Sequence, residues 1–187
     1  MELHRRTRRL QYLAVRVVFI ALAGIGLAQP VAAAGDEPAI ARVRSTDPFL
    51  ATLIDRAATQ SVTFQRLLAT IQRSNGVVQI EAGPCGHGVR ACLLMWLQMA
   101  ASNRFLRIYI DRRHGDSDVD VMASMGHELQ HAVEALSEPG ITDSVRLYNF
   151  FGRLAPTFNT RFETQAGIYV GNAVREELRV WESARAR

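Results

Sequence analysis

The 187-residue sequence predicts an α+β domain. Three observations carry this. Apolar residues recur at helical spacing after Asp47-Pro48. Two short runs rich in β-branched and aromatic residues follow, between turn-forming residues. Two long helical patterns then close the chain. Helices, then strands, then helices describe segregated elements, not an alternating parallel fold. Apolar residues make up 48% and charged residues 21%, a globular balance that excludes a disordered or collagen-like chain.

The first element is a targeting segment. Residues 1–34 have an arginine-rich start (His4 to Arg9) and an apolar run from Val17 to Ala28. Pro30 follows, and then the small residues Ala32-Ala33-Ala34. The run is 12 residues long, whereas a spanning helix needs about 20. The pattern predicts a signal peptide cleaved after Ala34, an exported protein (periplasmic or secreted, in a bacterial host) and no stable membrane anchor after cleavage. Residues 35–46 have no clear period and read as a linker, so the domain is expected over 47–187.

Asp47 caps a first helix over Phe49 to Thr59, with Pro48 at its first position. Ser61 caps a second, with Phe64, Leu67, Leu68 and Ile71 inward; Asn75-Gly76 ends it. Val77 to Ile80 reads as a short strand, Val89 to Leu97 as a second, and Arg104 to Ile110 as a third. Ser117 caps the next helix, and Asp118 and Asp120 lie in its first turn, where the helix dipole favours negative charge. Val119, Met122, Met125 or Gly126, Leu129, Val133 and Leu136 form its apolar stripe. Pro139-Gly140 stops it. A helix over Ser144 to Leu154 follows. The last helix is expected from about Thr160 to Trp181, buried through Phe162, Ala166, Tyr169, Val170, Ala173, Val174, Leu178 and Trp181.

The net charge of +4 invites a nucleic-acid partner, but its distribution removes that reading. Five arginines and one acid, Glu2, precede residue 35. The remaining 17 arginines and 17 acids balance, so the domain has no basic excess. The only cysteines are Cys85 and Cys92. In an exported chain their short spacing fits a small disulfide loop. A metal site with His87 between them, or two separate thiols, are the alternatives.

One motif carries chemistry: His127-Glu128-Leu129-Gln130-His131, in the middle of the Ser117 helix. Residues i and i+4 share a helix face about 5–6 Å apart. Two imidazoles so placed can converge on one zinc ion. Glu128 is rotated from both, yet stays close enough to act as general base on an attacking water. The bland alternative is an amphipathic helix with two surface histidines and a solvated glutamate.

Gly126-His127-Glu128-Leu129-Gln130-His131-Ala132 resembles the active-site helix of zincin metallopeptidases. The likeness is strong over residues 117–136 and weak elsewhere. It implies a minimal zincin-like fold, in which a small sheet packs on the active-site helix and a second helix supplies the third ligand. It also implies a Zn2+ cofactor and a peptide or protein substrate. No histidine follows His131, so the chain departs from the metzincin pattern and the third protein ligand must be a carboxylate or be absent. Glu134 is nearest. However, His127, His131 and Glu134 together span roughly 10 Å of helix rise, too far for one ion between the histidines. Glu134 is better cast as a hydrogen-bond partner of a ligand. Glu176 and Glu177 read as a solvated face. Glu163, in Arg161-Phe162-Glu163-Thr164-Gln165-Ala166 and expected to open the last helix, is similar to the E-x-x-A segment of gluzincins. That similarity gives it the third-ligand role.

Those gluzincins often carry an aspartate four residues after the glutamate, where it orients a zinc-bound histidine; here the position is Gly167. Glu134 or a backbone carbonyl is the candidate substitute. Tyr148 and Tyr169 are candidate donors to an oxyanion, with core packing as the alternative for each. His114 reads as an exposed turn residue. By analogy with zincins, the strand Arg104–Ile110 is the one expected to pair with an extended substrate. Together these features predict an exported zinc metallopeptidase with Glu128 as its base. The alternative is a non-catalytic periplasmic binding or structural protein that keeps a zincin-like helix.

Overall fold

The computed structural model describes residues 41–86, 88–154 and 162–187. The expected targeting segment and cleavage point lie outside them. The order of elements is β1 (Val43–Arg44), α1 (Pro48–Gln60), α2 (Val62–Gln72), β2 (Gly76–Ala82), β3 (Ala91–Ala100), β4 (Asn103–Ile110), a 3-10 turn (Arg112–His114), α3 (Asp118–Ser137), α4 (Ser144–Leu154) and α5 (Gln165–Arg185). Among the described residues the fold is α+β, with one small mixed sheet and five helices. Among the described residues, no helix is long and apolar enough to cross a membrane.

The helix starts follow their caps. The Asp47 carboxylate accepts from the N–H groups of Phe49 and Leu50, Ser61 accepts from Phe64, and Ser117 accepts from Asp120. Each satisfies donors that the first helical turn leaves without partners. Proline at the first position of α1 loses no hydrogen bond there.

The sheet order is β1-β2-β4-β3. β1, β2 and β4 run parallel, and β3 turns back antiparallel to β4 with an irregularity between Leu93 and Leu97. Two sequence expectations need correction here. Val43–Arg44, assigned to a linker, pairs with Val78 and Gln79 in the sheet. The strand expected over Val89 to Leu97 begins two residues later and runs on to Ala100, which leaves Val89 and Arg90 in the preceding loop. Two residues of β1 are too few for a hydrophobic period. For β3, the continuous apolar run hid the boundary.

β4 alternates: Arg104, Leu106, Ile108 and Ile110 are buried, while Phe105, Arg107 and Tyr109 are half-exposed. Val78 and Ile80 of β2 extend the buried face. The helical layer covers this face, with α3 packed on β3 and β4. α5 packs on the far side of α3 and also reaches α1 and α2. α3 is therefore enclosed by sheet and helix. Met122, Met125, Leu129 and Ala132 are fully buried, each large apolar side chain contributing roughly 1.5–3 kcal/mol.

The last helix departs from expectation. It begins at Gln165, capped by Thr164, so Glu163 precedes the helix instead of opening it. Its buried stripe is Gly167, Gly171, Val174 and Leu178, whereas Tyr169 is 74% exposed. Large apolar residues mark a helix face by periodicity, but here glycines carry half of it. A Cβ at Gly171 would lie 3.1 Å from the His127 Cβ, so small residues allow α5 to approach α3 closely.

A candidate metal centre

α3 presents His127 and His131 on the face turned toward α5. The chain entering α5 brings Glu163 to the same point. His127 Nε2 lies 3.0 Å from His131 Nε2 and 3.0 Å from Glu163 Oε2. One donor atom from each of the three residues lies within 4.8 Å of the others. Donors bound tetrahedrally to zinc at about 2.0–2.1 Å are about 3.3 Å apart, so the cluster is close to the required size. His131 is 4% exposed and Glu128 7%, which rules out a helix that merely displays its histidines to solvent.

Chemistry supports the fit. The His131 Nδ1–H donates to Glu134 Oε2 at 3.1 Å, because a carboxylate can only accept. This fixes the tautomer and turns the His131 Nε2 lone pair toward His127. Two imidazole nitrogens and a carboxylate oxygen thus share one small space, where lone pairs outnumber protons. A cation resolves that repulsion. The same imbalance appears in the titration of His127. Burial acts to lower its pKa, but the Glu163 carboxylate, with Glu128 and Glu134 nearby, outweighs this and raises it.

Glu134 is tied in turn to the start of α5: the Thr164 hydroxyl donates to its Oε1 at 2.7 Å. Despite desolvation, the bonds from His131 and Thr164 hold the Glu134 carboxyl below its ordinary value. The Thr164 hydroxyl also accepts from Gly167 N–H at 3.0 Å. One threonine therefore caps α5, orients Glu134 and fixes the residue next to Glu163. The Thr164 role was readable as a cap signal before a helix, but the misplaced helix start concealed it.

Gly167 stands four residues after Glu163, in the first turn of α5. A Cβ there would come 2.7 Å from His131 Cε1 and 3.3 Å from His127 Cε1. The position is in contact with the imidazoles, and only a glycine fits the observed spacing. The carboxylate that orients a histidine comes from α3 itself, through Glu134.

Glu128 lies on the sheet side of α3. Its Oε2 accepts from the Leu93 N–H of β3 at 2.7 Å. Burial raises its pKa, opposed by the two histidines and by this N–H. A carboxylate whose proton affinity is raised is better matched to general-base work near neutrality. Sequence patterning could not find Leu93, since its contribution is a backbone group.

The strand bordering this site is β3 at the sheet edge. β4, expected to face substrate, lies between β2 and β3 with both edges paired. The parallel return of β2 places β4 inside, and adjacency in sequence to α3 did not reveal this. Cys85 and Cys92 form a disulfide, so neither the thiol pair nor a cysteine metal site applies; His87 lies outside the described residues. Tyr148 and Tyr169 do not line the open space around His127, His131 and Glu128 and are 56% and 74% exposed, so neither the oxyanion role nor core packing describes them. The Tyr148 ring meets the edge of Phe162. Glu176 is exposed as expected. Glu177 is not a solvated residue: it accepts from the Ser61 hydroxyl and from the Thr63 N–H and hydroxyl.

Comparison with protein-family models, curated proteins and solved structures finds no match to this chain.

Proposed function

We propose that this protein is an exported zinc-dependent peptidase of the zincin type. The observation that carries the proposal is the convergence of His127, His131 and Glu163 beside a buried Glu128. The two histidines and Glu163 would hold the metal. Bound there, zinc supplies a Lewis acid for the scissile carbonyl and lowers the pKa of water toward about 7. Glu128 accepts a proton from the attacking water and passes it to the leaving nitrogen. Glu134 and Thr164 keep His131 in the tautomer that leaves Nε2 unprotonated. The disulfide supports export, because such bonds persist in oxidising compartments.

The test begins with mature protein recovered from the export compartment, whose first residue is expected near Gly35. It should bind about one zinc per chain. His127→Ala or His131→Ala should abolish binding, and Glu163→Gln should weaken it strongly. Glu128→Gln should retain zinc and lose peptide hydrolysis. Zinc retention without hydrolysis in the parent would favour the non-catalytic alternative. Absence of zinc binding would remove the enzymatic proposal.

A further inference from the structure

The candidate metal centre stands between two chambers of opposite character. One, of about 440 Å³, is lined by Arg90, Arg175, Asn172 and Ser124; the acids among its described lining residues, Glu128 and Glu163, belong to the centre. The other, of about 230 Å³, is lined by Leu93, Met95, Phe151 and Phe162 and by the Cys85–Cys92 disulfide. Both are bounded by Val89, Ala91, Glu128 and Glu163, so they meet where a bond would be cleaved.

The two arginines are anchored from behind. Arg90 Nε lies 3.0 Å from Asp116, and Arg175 Nε lies 3.2 Å from Asp120. Arg175 also donates to Asn172 Oδ1 at 3.0 Å. Neither aspartate lines the chamber. Each guanidinium is thus oriented before any ligand arrives, which lowers the ordering cost of binding. Two such cations lining one chamber, Arg90 before β3 and Arg175 on α5, match a carboxylate, which accepts charged N–H donors. Among the described residues, the opposite chamber offers aromatic and aliphatic walls and no charge other than the centre itself.

Resting on the peptidase proposal, we infer that the substrate is a peptide carrying an apolar side chain on one side of the cleaved bond and a carboxylate on the other. The apolar side chain occupies the chamber of Phe151 and Phe162, and the carboxylate occupies that of Arg90 and Arg175. The carboxylate is either an acidic side chain or the C-terminus of a short peptide; both offer the same chemistry to the arginines.

Equilibrium binding to full-length mature Glu128→Gln protein loaded with zinc tests this without requiring turnover. Three labelled peptides of one length share a central leucine. One has a neighbouring glutamate and an amidated end, one has glutamine there and an amidated end, and one has glutamine and a free carboxyl end. At least one carboxylate peptide should bind roughly tenfold tighter than the neutral one, the size of a charge-assisted hydrogen bond. Which one gains identifies the source. The gain should disappear in Arg175→Ala or Arg90→Ala and persist in part in Arg175→Lys. It should survive Arg56→Ala, which breaks an ion pair with Asp118 but lines neither chamber. Replacing the central leucine by asparagine should weaken all three peptides. Equal affinity for the three, no measurable affinity for any, or a gain that survives both arginine-to-alanine changes would overturn the inference. Hydrolysis by the parent protein reads the peptidase proposal separately: a carboxylate preference in binding without turnover leaves the chamber assignment standing and removes the catalytic one.

Discussion

At Gly167 the distance between two helices is set by a missing side chain. The glycine lies against the His131 ring, so α5 can deliver Glu163 to within 3.0 Å of His127. Gly167→Ala would place a methyl group 2.7 Å from His131 Cε1, a separation that real atoms do not sustain. Either the imidazole turns, breaking its bond to Glu134, or α5 retreats and takes Glu163 with it. Zinc affinity is expected to fall about 10–100-fold, the range found when partners of metal ligands are disturbed. The zinc-free protein should stay folded, because alanine favours helix over glycine by roughly 1 kcal/mol and offsets part of the strain. Zinc titration alongside thermal unfolding separates the two effects; parent-like affinity would mean that α5 adjusts without disturbing the ligands. The sequence exposed the two histidines and Glu128 because their spacing is local to one helix. Helix rise set Glu134 apart from the ligands, Glu163 was reached only through its resemblance to the gluzincin segment, and Leu93 stayed concealed because a backbone N–H has no sequence signature.

Among the elements, β4 shows how a pattern can be legible while its purpose is not. Its alternation was plain, and by that alternation Arg104 falls on the same face as Leu106, Ile108 and Ile110. An inward arginine has no local explanation. Its guanidinium reaches the C-terminal end of α3 and donates to the carbonyls of Ala135, Leu136 and Glu138, while Nε donates to Asn75. These carbonyls lie at the helix end, where the regular intrahelical bonds run out, and they carry the negative end of the dipole; those of Ala135 and Glu138 also accept from the N–H groups of Glu138 and Ile141. Arg104 is 5% exposed, and burial lowers its pKa without threatening its charge. Replacing it with methionine keeps much of the volume and removes every donor. The cost should be about 1–3 kcal/mol by chemical denaturation, since the Leu136 carbonyl loses its Arg104 donor while those of Ala135 and Glu138 keep only the backbone N–H groups of Glu138 and Ile141. Lysine should rescue little, because a single ammonium cannot spread over the same fan of carbonyls. A loss well below 1 kcal/mol would show that water serves the end of α3 instead. The glycine face of α5 escaped detection for a different reason: hydrophobic periodicity weighs large side chains, and close helix packing here depends on small ones.

The molecule as a whole is held around α3, with the sheet on one side and α5 on the other, and α5 must also be tied to the N-terminal helices. Glu177 makes that tie. Its carboxylate accepts from the Ser61 hydroxyl at 2.6 Å and from the Thr63 hydroxyl and N–H at 2.7 and 3.0 Å, at the start of α2. Anionic charge at a helix N-terminus is favoured by the dipole and by the unpaired N–H groups. Burial pushes the Glu177 pKa up, but the bonds from Ser61 and Thr63, with Arg66 nearby, more than reverse this and hold it below its ordinary value. A carboxyl whose folded pKa is depressed contributes its stability above the unfolded pKa of about 4.3 and loses it as pH falls through the folded value. Glu177→Gln keeps the shape and removes the charge, so it should cost about 1–2 kcal/mol at neutral pH. Denaturation measured from neutral pH downward should then show the parent and variant curves converging only below the ordinary carboxylate range, as the parent's own depressed carboxyl becomes neutral. The difference between the curves isolates this group from Asp120, whose carboxyl is also held low, by Ser117 and Arg175, and which titrates alike in both proteins. Curves that remain parallel through the acid range would mean that the tie between α5 and α2 is one of shape, with the charge of Glu177 adding nothing to it.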